Sequence, residues 1–211
     1  MRIGDYDLAG FVVGAVERTR VLPRLDRMHA GDLVLGLASS GVHSNGYSLV
    51  RKVVQASGLT YSSACPFSTT AHGSMSLGEA LLTPTRIYVE ALMPLIKAGL
   101  VKSMAHITGG GFTDNIPRAL PDHLGVELDA TSWPLLPVFQ WLKKVGNIEN
   151  KELARTFNCG IGMILVVEAR DLDQIKKMVK EPIYELGHVV ERNSMVTKDP
   201  VFIKNMDVAW N

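Results

Sequence analysis

Hydrophobic positions along this chain switch repeatedly between strand-like runs and helical spacing. Asp7 to Glu17 carries Leu8, Phe11, Val12, Val13 and Val16 among small residues and reads as a buried strand, as does Asp32 to Ala38. A charged connector, Arg18 to Gly31, lies between them. After Gly46 the period changes: Leu49, Val50, Val53 and Val54 recur at helical spacing while Arg51 and Lys52 face elsewhere, which predicts a helix ending near Gly58. Thr60 to Ser76 is polar and aperiodic, a surface loop. Thr83-Pro84 is a helix-start signal for a stripe of Ile87, Ala91, Leu92, Leu95 and Ile96 that stops at Gly99. Further strands are expected at Ser103 to Ile107, Leu124 to Ala130 and Gly160 to Glu168, and helices at Thr113 to Leu120, Val138 to Val145, Lys151 to Phe157 and Leu172 to Lys180. Tyr184 to Arg192 and Val201 to Lys204 complete the set as closing strands that could pair with each other. Directly adjacent strands are mixed with strand-helix-strand units. The expected fold class is therefore α+β, a layered α/β/α domain with a mixed sheet, formed by residues 1–211 as a single domain.

Composition narrows the partners. Lys plus Arg is 22 against 21 for Asp plus Glu, so no net field draws in a polyanion or an anionic membrane face, and nucleic acid and membrane are both excluded as expected partners. Two cysteines, Cys65 and Cys159, share no C-x-x-C spacing and point to free thiols in a reduced, cytoplasmic setting. No apolar run approaches the ~20 residues of a membrane-spanning helix, and the first residues lack a signal peptide's apolar stretch.

Candidate chemistry concentrates at two strand-to-helix turns. Ser39-Ser40-Gly41-Val42-His43-Ser44-Asn45-Gly46 precedes an amphipathic helix, where main-chain N–H groups and the positive end of the helix dipole stabilise an anion such as phosphate. Gly41 and Gly46 let the backbone come close, Ser40, Ser44 and Asn45 add neutral donors, and His43 could donate to a phosphate oxygen or exchange a proton. The alternative is that Ser44 or Asn45 only caps the helix and His43 satisfies a local carbonyl. The second turn, Thr108-Gly109-Gly110-Gly111, is costly to order, so a ligand or a second backbone must need bare main chain there, unless it is a plain connector. Arg86 stands either beside a bound carboxylate or phosphate or in an ordinary ion pair. Cys159 has no basic neighbour in sequence to activate it and is expected to be a buried structural thiol, Cys65 has no better claim, and His29, His72, His123 and His188 lack metal-ligand spacing. There is no Walker A loop, dinucleotide fingerprint or nucleophile elbow.

Taken together, Tyr6-Asp7-Leu8-Ala9-Gly10-Phe11, the run S-S-G-V-H-S-N-G-Y-S-L-V-R-K from Ser39 to Lys52, Leu82-Thr83-Pro84-Thr85-Arg86-Ile87-Tyr88, His106 to Gly111, Asn115-Ile116-Pro117-Arg118 and Arg155 to Met163 resemble the aminoimidazole ribonucleotide synthetase family. The likeness covers about Asp5 to Lys204, and its details are closer to the module found in the animal trifunctional purine enzyme. It implies an ATP- and Mg²⁺-dependent cyclo-ligase that converts formylglycinamidine ribonucleotide to aminoimidazole ribonucleotide, in a homodimeric parent. His43 would be the catalytic group, with Ser40, Gly41, Ser44, Asn45, Gly46, Arg86, Thr108, Gly109, Gly110 and Gly111 binding substrate or phosphate. The family's amino-terminal half, with its Gly-Thr-Asp-Gly-Val-Gly-Thr-Lys-like and Gly-Gly-Glu-Thr-Ala-Glu-Met-Pro-like segments for metal and ATP phosphates, has no counterpart here. The resemblance thus implies a carboxy-terminal half; a non-catalytic packing or dimerisation module is the alternative. The purified 211-residue chain is expected not to turn over ATP, and an ATP-dependent cyclisation signal from it alone overturns that expectation.

Overall fold

The computed structural model describes residues 8–67, 75–196 and 198–211. Asp7, His72 and the middle of the loop expected at Thr60 to Ser76 lie outside them. Six strands form one sheet: β1 (Leu33–Ala38), β2 (Ser103–His106), β3 (Leu124–Asp129), β4 (Ile161–Val167), β5 (Ile183–Glu191) and β6 (Val201–Lys204), in the order β2-β4-β1-β5-β3-β6. Every neighbouring pair is antiparallel except β3 and β6, so the sheet is mixed as expected. The two closing strands do not pair with each other: β5 lies between β1 and β3, and β6 adds on the far side of β3.

Alternation along the strands splits the core in two. Val34 of β1 joins Val126 and Leu128 of β3 and Ile164 and Val166 of β4 on one face. That face is covered by α1 (Tyr47–Ala56), α2 (Leu77–Leu81), α4 (Gly111–Asn115), α5 (Pro137–Gly146) and α6 (Asn150–Thr156). Leu33, Leu35 and Leu37, with Leu165 and Val167, point to the other face, covered by α3 (Val89–Lys97) and α7 (Leu172–Met178). Layers of helix, sheet and helix result. The second face is covered only over β2, β4 and β1; above β3 and β5 it is an open hollow of about 710 Å³ that Glu127, Asp129, Glu185 and Lys204 help to line. A short α8 (Met206–Ala209) ends the chain, and the buried Trp210 packs edge-on against Trp133.

Two further expectations are corrected. Residues 8–17 form no strand: Leu8, Phe11, Val12, Val13 and Val16 are all exposed, Phe11 at 94%. An apolar run reports that side chains seek burial but cannot name the surface that buries them, and no strand among the described residues pairs with this segment. The helix expected from Thr83 begins only at Val89, and Ile87 is 79% exposed rather than part of a buried stripe. The Thr-Pro signal is outcompeted because 83–88 crosses the turn after β1 as an extended strap. Pro84's carbonyl accepts from Ser40 Oγ at 2.7 Å, and Tyr88's hydroxyl donates to the Ala38 carbonyl at 2.8 Å.

If the core rests on the two sheet faces and not on the exposed arm, removing residues 1–17 will leave the urea midpoint nearly unchanged. Leu35→Ala, at a fully buried position of the second face, will cost about 2–5 kcal/mol.

Candidate functional site

Antiparallel pairing puts three corners at one end of the sheet. Ala38 pairs with Ile161, and His106 with Met163, so the segments after β1, after β2 and before β4 converge. The third corner holds the other two. Asn158, 3% exposed, accepts on Oδ1 from Ser39 Oγ at 2.8 Å and from its own corner's Gly160 N–H at 2.9 Å, while its Nδ2 donates to the Gly41 carbonyl at 2.9 Å. A buried amide with three such bonds fixes the turn from both of its polar atoms. On the other side, the strap contributes Pro84's carbonyl to Ser40 and Thr85's hydroxyl, 3.3 Å from Ser44 Oγ.

Among the described residues the main-chain N–H groups of Gly41, Val42, His43, Ser44 and Gly46 make no hydrogen bond within the protein, Asn45 closes the turn at 43–44, and Ser40 N–H is taken by His43 Nε2 at 3.0 Å. Left-handed backbone at His43 (φ 58°) and Gly46 (φ 73°) produces this arrangement. Gly46 is required twice over, since a Cβ there would overlap the Phe157 ring. Two hollows flank the turn. One of about 370 Å³ lies between His43, Ser44, Tyr47, Arg51 and the strap; the other, about 380 Å³, is mainly apolar, between Gly41, Val42, Cys65, Phe67 and Leu136.

The glycine triplet adjoins the first turn through Gly109, whose missing Cβ would stand 3.6 Å from Asn45 Oδ1. Asn115, missed in the sequence as anything but a helix residue, knits the triplet by donating to the carbonyls of Gly109 at 3.2 Å and Gly111 at 2.7 Å. Thr108 Oγ1 donates to the same side chain at 3.2 Å. Gly111 is buried against α6. A Cβ there would collide with the Ala154 carbonyl of α6, so for Gly111 the second backbone, and not a ligand, explains the bare main chain.

Arg86 is not in a helix. Its guanidinium forms an ion pair with Glu181 at 3.4 Å, donates weakly to the Ala38 carbonyl at 3.4 Å and lies 5.9 Å from the Tyr88 ring centre. The ordinary ion pair is what these side chains form. Cys159 is fully buried with its thiol pushed well up by burial, and Arg155 is paired with Glu152 at 2.9 Å on the surface. No group of three or more His, Cys, Asp or Glu among the described residues could hold a metal ion.

Sequence reasoning passed over an aromatic cluster behind the turn. His43, Tyr88 and His106 stand with ring centres 6.0–6.4 Å apart, and Gly162 makes room for them: its Cβ would overlap the Tyr88 hydroxyl and come within 2.8 Å of His43 Cε1. Tyr88 and His106 were both visible in the motifs, but nothing in their spacing tied them to His43. Burial, followed by the charges of His106 and Arg86, pushes the His43 imidazole down to about 4. His43 is therefore neutral at pH 7; Nε2 accepts from Ser40, leaving Nδ1 to carry the proton, buried and without a partner. Such a group orients the turn and is poorly suited to exchange protons at neutral pH.

Residues 29–199 match the sequence model of the family described as AIR synthase related protein, C-terminal domain. The chain is 53% identical over 192 residues to the trifunctional purine biosynthetic protein adenosine-3 of Homo sapiens, covering 90% of this chain and 19% of that protein. The Gallus gallus protein of the same name is 54% identical over 189 residues, covering 89% and 18%. The chain thus spans about a fifth of the length of these curated relatives. In architecture it is similar to thiamine-monophosphate kinase from Stenotrophomonas maltophilia, at a TM-score of 0.54 and 17% identity over 90% of this chain and 54% of that one.

A histidine held neutral in the folded state ties stability to pH. His43 sits at about 4 folded against 6.5 unfolded, so its contribution, on the order of 3 kcal/mol, is present above pH 6.5 and is lost as pH falls toward 4. His106, also lowered by burial, adds in the same direction. His43→Asn, which tolerates the left-handed backbone, is expected to flatten the loss of urea stability between pH 7 and pH 4.5. An unchanged slope would remove His43 as its cause.

Proposed function

Since the chain belongs to the AIR synthase related family, as a representative of its C-terminal domain, we propose that it is the substrate-holding half of an ATP-dependent cyclo-ligase of purine biosynthesis. The reaction closes the imidazole ring of aminoimidazole ribonucleotide. The formyl oxygen of formylglycinamidine ribonucleotide takes the γ-phosphoryl group of ATP, the amidine nitrogen attacks the formyl carbon, and the carbon–oxygen bond breaks to release phosphate alongside ADP. The observation that carries this reading is the set of unpartnered amides at Gly41–Ser44 and Gly46, just before α1, a cradle for the phosphate of a ribonucleotide.

In this reading Ser44, Asn45 and the Thr108–Gly110 turn line the same cleft, Arg86 steadies the strap at its rim, and His43 positions Ser40. The ATP phosphates and magnesium are assigned to an amino-terminal half of the cytoplasmic parent. The exposed apolar arm of Phe11, Val12 and Val13 supports a surface that another part of such a parent covers. The same arm favours the second reading, a packing or dimerisation module with no ligand of its own.

Calorimetry with formylglycinamidine ribonucleotide and no ATP separates the two. A substrate half gives saturable heat with one equivalent, and the Ser44→Ala/Asn45→Ala double variant weakens it about tenfold or more while melting like the parent chain. Absence of heat, or equal affinity in the variant, leaves the packing module.

A further inference from the structure

The end of the sheet remote from the turns carries a second, differently built pocket. Leu33 pairs with Val167 and Ser103 with Val166 at that end, so the residues just outside these strands, Asp32, Lys102 and Glu168, stand together about 20 Å from the glycine turns, the length of a six-residue strand. A cavity of about 140 Å³ opens there between the charged connector and the loops around β2 and β4; its charged lining is Arg24, Arg27, Lys102, Arg170, Glu168 and Asp171. Four cations face two carboxylates in that lining.

The carboxylates do not neutralise the cations evenly. Glu168 bridges Lys102 Nζ at 3.4 Å and Arg170 Nη2 at 2.5 Å, and Lys102, 7% exposed, also holds Asp32 at 2.7 Å behind the cavity wall. Arg24 and Arg27 are left over. Neither side chain pairs with a carboxylate among the described residues, although the Arg24 main chain is anchored by its N–H to the Lys102 carbonyl at 2.8 Å. Arg24 Nε is shut off from solvent and donates to nothing. Burying a guanidinium N–H without an acceptor is costly, and proteins seldom leave such a group unsatisfied unless something else supplies the acceptor.

We propose that this pocket is a second oxyanion site, distinct from the turn at Gly41–Gly46, that takes a phosphoryl group between Arg24 and Arg27. A cavity of about 140 Å³ has room for a phosphate. Guanidinium forks fit such an oxygen triangle, whereas the neutral amides of the first turn read shape and dipole. The site stands independently of the cyclo-ligase reading, because none of its residues reaches the turns.

Amide resonances of the ¹⁵N-labelled chain distinguish the two ends of the sheet. Titration with inorganic phosphate is expected to shift the amides of 99–102 and 168–171 with saturation in the low millimolar range, on a separate curve from Gly41–Gly46. The exposed Arg27→Gln alone weakens that curve about fivefold, and Arg24→Gln/Arg27→Gln removes it while the Gly41–Gly46 curve stays. Ribose 5-phosphate in place of phosphate identifies the source: the same response means that the pocket reads the phosphoryl group of an ester, and a response to phosphate alone means a site for the free ion. Absence of saturable shifts at 99–102 up to about 20 mM phosphate, or the same curve in Arg27→Gln, overturns the proposal.

Discussion

The amide of Asn158 is the constraint from which the rest of the candidate site follows. It accepts from Ser39 and Gly160 and donates to Gly41, so one side chain joins the corner before β4 to the turn after β1. Strand pairing alone would bring those corners near each other; the amide sets their spacing and directs the peptide planes between them. With the Gly41 carbonyl taken by Asn158 and left-handed backbone at His43 and Gly46, most of the succeeding N–H groups find no acceptor within the protein. The strap from Thr83 to Tyr88 completes the frame from the opposite flank through Ser40, Ser44 and Ala38.

Apart from Arg51 at the edge of the neighbouring hollow, a cradle assembled in this way carries few full charges. His43 is neutral, Arg86 is occupied by Glu181, and Asn45, Ser44 and the glycine amides carry only partial charges. Preorganised dipoles of this sort lose little on meeting an anion, because they do not have to rotate or shed a tightly bound counterion first. Room behind the turn comes from Gly162, which lets Tyr88 and His43 pack against β4 where any side chain would push them out. The buried cluster therefore serves the geometry of the turn.

Much of this was legible along the chain. Each of the six observed strands had been expected from apolar runs, and the helices after Gly46, at Val138 and at Lys151 lie within a residue or two of their expected places, because those segments bury a single face and show its period. The failures share one cause. Residues 8–17 are apolar without a covering surface, and Thr83-Pro84 starts no helix because the strap finds better partners across the turn; in both cases distant residues decide, and local pattern cannot report them. The same holds at the site. Both glycine turns were evident, but that Gly111 answers to the Ala154 carbonyl, that Asn158 and Asn115 are the organisers, and that His106 and Tyr88 gather around His43 depend on a register no single segment encodes.

The two ends of the sheet solve the problem of charge in opposite ways. At the end with the glycine turns, burial drives His43 to its neutral form and the polarity left is that of the backbone. At the other end, Lys102 is buried beside both Asp32 and Glu168, and each partner is in turn held, Asp32 by the His29 amide at 2.9 Å and Glu168 by Arg170. A buried ion is stable when every charge in its network is answered. By that criterion Lys102 is complete and Arg24 is not, since its Nε lies in the same wall with no acceptor. The imbalance is local, in a chain whose basic and acidic residues otherwise almost cancel, and it lies in the connector whose charges the cleft at the other end does not use.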